Sequence, residues 1–235
     1  MSSDAAVEKL AAARAAVELV KPGMKLGLGT GSTAAEFVNL LGEKRAAGVE
    51  VTGVPTSEAT AAQARAAGIE LGDLDDLAPL DLTIDGADEI GPGLALIKGG
   101  GGALLREKIV ARASRMMVVI ADQSKCVKTL GAFPLPVEIV RFAPQTTMRA
   151  LSQALNKVGV SANLRIRTDG SGAIFVTDEE NFIVDCTCGH IEDPAAVARA
   201  ISTVTGVVEH GLFVGVASQA IIGAADGTAR TILNQ

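Results

Sequence analysis

Leu80-Asp81-Leu82-Thr83-Ile84-Asp85-Gly86-Ala87-Asp88-Glu89 decides how this chain is read. The segment 80–84, with Leu80, Leu82 and Ile84, has the length of a short strand, and it ends abruptly at an acid followed by two small residues. The same pattern recurs on both sides. Met24–Leu28 reads as a strand that enters Gly29-Thr30-Gly31-Ser32-Thr33 and then a helix over 33–46. Val49–Val54 leads to a helix at 58–67, and Met116–Ile120 leads to Ala121-Asp122-Gln123-Ser124-Lys125. Short apolar strands alternating with helices predict an α/β domain, a parallel sheet covered on both faces. Open sheets of this kind bind ligands at the carboxyl ends of their strands, where these polar loops fall.

The rhythm changes near Gly131. Beyond Phe133-Pro134-Leu135-Pro136 come a strand (137–141), a helix (145–157), three candidate strands (161–167, 172–177, 181–187) and a helix (194–203). That order predicts a small α+β unit of the split-βαβ kind. Ile221-Ile222 and Thr231-Ile232-Leu233 read as strands returning to the first sheet. The expected division is therefore 1–130 with 206–235 as one domain and 131–205 as the other. A chain of 235 residues, 48% hydrophobic, has the material for two modest cores.

Bulk properties exclude several functions. A net charge of −6 argues against nucleic acid or an anionic membrane as partner. No run approaches the roughly 20 apolar residues of a membrane span. The opening MSSDAAVEKL lacks the basic n-region of a secretory signal. Three cysteines, Cys126, Cys186 and Cys188, read as reduced structural thiols of a cytoplasmic protein. Cys186-Thr187-Cys188 has the spacing of neither a zinc knuckle nor a Cys-x-x-Cys redox pair.

Gly29–Thr33 follows a strand and opens a helix. Amides at a helix start favour an anion, and the Thr30, Ser32 and Thr33 hydroxyls add donors, so the loop reads either as a phosphate or carboxylate site or as a tight βα turn with a Ser/Thr cap. It is not a dinucleotide fingerprint, because Ser32 takes the place of the last glycine and Val54-Pro55-Thr56 stands where an acid is needed. It is not a P-loop, because the lysine is missing.

Asp85, Asp88 and Glu89 form an acidic loop at a strand end, with Gly86 and Ala87 leaving room beside them. A solvated turn and a magnesium site are the alternatives, and the spacing is not that of an EF-hand. Lys98 follows the apolar run 94–97 and precedes Gly99-Gly100-Gly101-Gly102, whose bare amides suit an oxyanion. Glu107 sits in a helix with Ala103, Leu104, Val110 and Ala111 as helical neighbours, so partial desolvation is expected to raise its pKa toward that of a useful base. A structural role for Arg106 and Glu107 is the competing reading.

The ordered set Gly29-Thr30-Gly31-Ser32-Thr33, Thr56-Ser57-Glu58, Asp85-Gly86-Ala87-Asp88-Glu89, Lys98-Gly99-Gly100-Gly101, Arg106-Glu107-Lys108 and Asp122-Gln123-Ser124-Lys125 resembles the A-type ribose-5-phosphate isomerases over most of the chain. Two features depart from the family. Gly102 stands where alanine is usual, a change expected to matter little, and the segment 177–190 is longer and richer in cysteine.

The resemblance implies a Rossmann-like parallel-sheet domain carrying a smaller ferredoxin-like α+β domain. It implies reversible aldose–ketose isomerisation of ribose 5-phosphate and ribulose 5-phosphate through an enediolate, in the non-oxidative branch of the pentose phosphate pathway. Under it Glu107 is the base, Lys98 and the amides of Gly99, Gly100 and Gly101 hold the oxyanion, and Asp85 and Asp88 bind hydroxyls, Asp85 aiding ring opening. Substrate contacts fall to Thr30, Gly31, Ser32, Thr33, Gly86 and Ala87, with the phosphate at Ser32, Thr33 and Lys125. No metal and no organic cofactor is implied, and the assembly is a homodimer or a dimer of dimers. The alternatives are a related sugar-phosphate deaminase, a CoA transferase, or a non-catalytic sugar-phosphate sensor. A deaminase would use a catalytic histidine, and His190 and His210 lie outside the motif loops. A sensor of the transcription-regulator kind would bring a basic recognition helix, which the sequence lacks.

Overall fold

The computed structural model describes residues 3–234. In chain order the first elements are α1 (Ser3–Val17), β1 (Lys25–Leu28), α2 (Ser32–Ala46), β2 (Thr52–Pro55), α3 (Glu58–Ala66), β3 (Glu70–Leu71), α4 (Leu74–Leu77) and β4 (Leu82–Asp85). There follow β5 (Glu89–Ile90), β6 (Leu96–Ile97), α5 (Leu104–Arg112), β7 (Met117–Asp122) and β8 (Leu135–Ile139). The remainder is α6 (Pro144–Lys157), β9 (Asn163–Ile166), β10 (Phe182–Thr187), α7 (Pro194–Ser202), β11 (Val207–His210), β12 (Leu212–Phe213), β13 (Gln219–Gly223) and β14 (Ala229–Leu233). The chain forms two compact units, one made of the residues up to Ala87, Arg106–Cys126 and the residues from Gly215 on, the other of Asp88–Leu105 and Val127–Val214.

The first unit is a seven-stranded sheet in the order β14-β13-β7-β4-β1-β2-β3, parallel except for β14, which runs antiparallel to β13. Strand alternation divides its side chains between two faces. Leu26, Leu28, Ile84, Val118 and Ile120 form one cluster with Ala12, Ala13 and Ala16 of α1 and Phe37 and Leu41 of α2. Val54 and Leu80 form another with Val110 of α5 and Leu74 and Leu77 of α4. Phe37 and Leu41 are fully buried, and each such side chain contributes about 1.5–3 kcal/mol by leaving water. Alanines on α1 leave little side-chain bulk between helix and sheet, which is why an Ala-rich helix with so few large apolar residues docks at all. As the apolar pattern predicted, β13 and β14 return to this sheet.

The second unit is built on an antiparallel sheet in the order β11-β8-β10-β9. Read with its helices it runs β8-α6-β9-β10-α7-β11, the split-βαβ arrangement that the sequence predicted. Helix α6 buries Leu151 and Leu155, and α7 buries Val197 and Ile201, each pair one helical turn apart. Asp193 caps α7 by accepting the Ala196 amide at 2.9 Å, with Pro194 at the first helical position.

Two expectations change here. Residues 172–177 are not a strand but make only the isolated bridges Thr168↔Ile174 and Val176↔Phe182. Ile174 and Val176 are exposed, so their apolar side chains have no surface to bury against and nothing extends the pairing. The grouping of residues also follows other boundaries than 131–205, because 88–105 joins the second unit. Strands β5 and β6 pair with β12 in a three-stranded antiparallel sheet, and the buried Glu89 carboxylate accepts the amides of Gly131 at 2.7 Å and Phe133 at 2.6 Å. Glu89 is thus a structural tie, not a member of an open acidic loop.

Candidate active site

In the first unit four polar loops sit at the carboxyl ends of β1, β2, β4 and β7. Asp85 closes β4 and is fully buried. Its Oδ1 accepts the amides of Thr30 at 3.1 Å and Gly86 at 2.7 Å, which fixes the carboxylate against the loop after β1. Only glycine fits at position 29, since a Cβ there would collide with the Asp85 carboxylate. The Thr30 hydroxyl lies 2.8 Å from that of Thr56, 2.9 Å from Ser57 Oγ and 3.1 Å from Thr60 Oγ1. Thr60 Oγ1 in turn donates to the Gly29 carbonyl at 3.0 Å. This hydroxyl cluster ties the loops after β1 and β2 together. Both the hydroxyl and the amide of Thr30 are engaged inside the protein.

Helix α2 begins at Ser32 with Gly31 as its cap residue and no capping side chain. Its first amides are therefore available to an anion. Thr33 is buried, and Lys9 of α1 reaches Ser32 Oγ at 3.0 Å. Lys9 is a cation at an anion-seeking helix start that sequence reasoning missed, since on α1 it looks like any solvated lysine. Lys125 ends a short 3-10 turn after β7, shaped by Asp122, whose carboxylate accepts the Ser124 amide at 3.0 Å. The neighbouring Gln123 amide donates to Glu8 Oε2 at 3.0 Å, so α1 also braces this loop.

Glu107 lies in the first turn of α5 and is 3% exposed. Val110, one turn further on, faces the sheet with Val54 and Leu80, which turns the Glu107 face of the helix inward as well. Arg106 points elsewhere and bonds Glu58 of α3 at 2.9 Å. That hydrogen bond and the guanidinium charge hold the Glu58 carboxyl below its ordinary pKa. A structural role is thus seen for Arg106. Asp85 Oδ2 and Glu107 Oε2 are buried oxygens that accept no hydrogen bond from the described residues, although both carboxylates have other electrostatic neighbours.

In the second unit Lys98 follows β6 and is 2% exposed. Its amide donates to the Gly211 carbonyl at 2.9 Å, and its Nζ stands 5.6 Å from the centre of the Phe213 ring. Asp88 accepts the Gly100 amide on Oδ2 at 2.8 Å. One of the three amides expected to serve an oxyanion is therefore engaged with an acid instead. Gly102 has φ +85°, and a Cβ there would strike the Phe175 ring. The positive φ favours glycine at this position, and the atoms nearest to it are the far end of the Phe175 side chain.

No group of three or more His, Cys, Asp or Glu side chains able to hold a metal ion occurs among the described residues, and no helix among them is long and apolar enough to cross a membrane.

The model of one protein family, ribose 5-phosphate isomerase A (phosphoriboisomerase A), matches residues 52–227, which hold Asp85, Asp88, Lys98 and Glu107. The chain belongs to the ribose 5-phosphate isomerase A family. It is 55% identical over 221 residues to ribose-5-phosphate isomerase A of Parvibaculum lavamentivorans, covering 94% of this chain and 96% of that one. With the Agrobacterium fabrum enzyme the identity is 56% over 224 residues, 95% and 96% of the two chains. Among solved structures, ribose 5-phosphate isomerase from Plasmodium falciparum superimposes with a TM-score of 0.91 at 37% identity, covering 98% and 99% of the two chains. The Rossmann-like and ferredoxin-like architecture expected of a ribose 5-phosphate isomerase A is the one observed, and the deaminase, CoA-transferase and sensor alternatives are not favoured.

Proposed function

We propose that this ribose 5-phosphate isomerase interconverts ribose 5-phosphate and ribulose 5-phosphate with Glu107 as its base and Lys98 as its charge stabiliser. The observation that carries the assignment of roles is burial. Asp85, Lys98 and Glu107, each inside a motif shared with the family, are all withdrawn from water. Ionisable groups are costly to bury unless they are paired or used, and an isomerase uses them.

The chemistry follows from the substrate. Once the sugar ring opens, a proton moves between C2 and C1 through an enediolate. Glu107 removes that proton and returns it to the neighbouring carbon. Lys98 offsets the negative charge that develops on the oxygen, and Asp85 and Asp88 hold the hydroxyls, Asp85 assisting ring opening. The start of α2, with Ser32, Thr33 and Lys9, receives the phosphate. A solved relative 34% identical to this chain is in complex with phospho-erythronic acid. That compound carries an anionic group at each end, as the proposed enediolate phosphate does. A placed base contributes about 10²–10⁴ in rate, and one oxyanion donor about 2.7–4 kcal/mol, so the four side chains supply much of an enzyme's acceleration by themselves.

The homodimer or dimer of dimers, and the cytoplasmic location, belong to the same proposal. Proton NMR of ribose 5-phosphate with the purified protein in D2O containing EDTA tests the central claim. Ketose formation with deuterium entering at carbon is the expected result. Unchanged ribose 5-phosphate overturns it, and activity restored only by added divalent ion overturns its metal-free form.

A further inference from the structure

We propose that Arg167 is a positioning residue for the isomerase reaction, a clamp that fixes the glycine run following Lys98. The inference rests on the isomerase reading and adds to it a residue outside every motif of the family set quoted above. Arg167 follows β9. Its Nε donates to Asp185 Oδ2 at 2.9 Å, and its Nη2 donates to Asp185 Oδ1. Its Nη1 donates to two carbonyls of the glycine run, Gly99 at 2.8 Å and Gly100 at 3.1 Å. The guanidinium also lies 5.9 Å from the Phe175 ring centre, and Phe175 is the side chain that occupies the space left by Gly102.

The arrangement is a chain of constraints. Asp185 on β10 fixes the plane of the guanidinium by a two-pronged pair. The third nitrogen then holds two successive carbonyls of a segment that, being all glycine, has little conformational preference of its own. Fixing the Gly99 carbonyl orients the peptide whose amide is Gly100 N–H, the group that Asp88 accepts. Arg167 thus sets, through the backbone, the position of the Asp88 carboxylate and the path of the chain leaving Lys98. Lysine cannot replace it, because a single ammonium lacks the planar fork that serves Asp185 and both carbonyls at once.

The test combines kinetics on ribose 5-phosphate with hydrogen exchange at the amides of residues 99–102, for Arg167→Ala, Arg167→Lys and Asp185→Asn. Misplacement of reacting groups by about 1 Å costs up to about 100-fold, so Arg167→Ala is expected to lose about 10- to 100-fold in kcat. KM should stay within about 3-fold, because Arg167 acts on the transition-state geometry and not on uniform binding. Arg167→Lys should recover only part of kcat, Asp185→Asn should fall between, and the Gly102 amide, bonded to the Gly99 carbonyl, should exchange faster in each. A wild-type kcat per folded molecule, a change confined to KM, or unaltered exchange overturns the proposal. If Arg167→Ala fails to fold, Arg167→Lys decides, since full kcat in that variant is equally fatal. A wild-type protein without isomerase activity would overturn the isomerase reading instead, and the exchange data would still judge the clamp.

Discussion

The ammonium of Lys9 stands 3.0 Å from the hydroxyl of Ser32, so α1 delivers a cation to the first residue of α2. Helix start, hydroxyl and cation converge, and a phosphate would meet all three. Lys9→Ala is expected to raise KM for ribose 5-phosphate about 10-fold, since a hydrogen bond to a charged group is worth about 1.5–3 kcal/mol. The kcat should change little, because the contact is equal in ground and transition states. Steady-state kinetics decides, and a fall in kcat at constant KM would remove Lys9 from the phosphate site.

Glu107→Gln keeps the shape of a buried side chain and abolishes its basicity. The fold and substrate binding should persist while turnover drops about 10²–10⁴-fold. Near-normal turnover, with circular dichroism unchanged, would take the base role away from Glu107.

Lys98→Ala removes the cation beside Phe213. Turnover is expected to fall about 10²–10³-fold, the worth of one oxyanion donor, and substrate binding should weaken as well. Unchanged kinetics would mean that the developing charge is held by other donors.

Glu138 on β8 is buried, and that burial pushes its carboxyl pKa up against the lowering effect of hydrogen bonds from Asn181 and Thr177. The folded protein therefore holds this proton more tightly than the unfolded chain does. Its contribution to stability is complete below the ordinary carboxylate value and is lost as pH rises through the raised folded one. Glu138→Gln can still accept from Thr177 and Asn181, which lie 2.9 and 3.0 Å from Oε1. The variant should match or exceed the wild type in melting temperature at neutral pH and show a flatter dependence from about pH 4 to pH 8. Parallel melting curves for the two proteins across that range would acquit Glu138.

Burial raises the Cys188 thiol to about 11 and Cys186 well above its ordinary value. Thiolate is scarce at neutral pH, so iodoacetamide should leave both unmodified in the folded protein and modify both after denaturation. Mass spectrometry of the labelled peptides reads this directly. Fast labelling of Cys188 in the native protein would refute it.

What could be read from the sequence had a local cause. Leu82–Ile84 and Met117–Ala121 are largely apolar segments that stop at an acid, and each lies in a buried strand of the sheet. Asp85, Lys98 and Glu107 stood out because ionisable residues interrupt apolar neighbours, and all three are buried. What stayed hidden depended on partners far along the chain. Glu89 read as part of an acidic loop at a strand end, whereas its carboxylate accepts the distant amides of Gly131 and Phe133. Arg167 acquires its role from Gly99, Gly100 and Asp185, and no short motif joins those positions. The hydroxyl of Thr30 reaches Thr56, Ser57 and Thr60, contacts that no local pattern announces. Residues 172–177 have the right composition for a strand but make only isolated bridges, with Ile174 and Val176 left exposed.

Strand β7 lies between β4 and β13 in the sheet, and β13 with β14 occupies residues 219–233. On the ribosome those residues emerge after everything else in that sheet. Throughout synthesis one flank of β7, wholly apolar up to Ala121, presents open amides and carbonyls, the template on which chains stick to one another. Messages truncated before codon 219 should therefore yield insoluble product, which makes the final hairpin a safeguard of solubility as much as a part of the architecture.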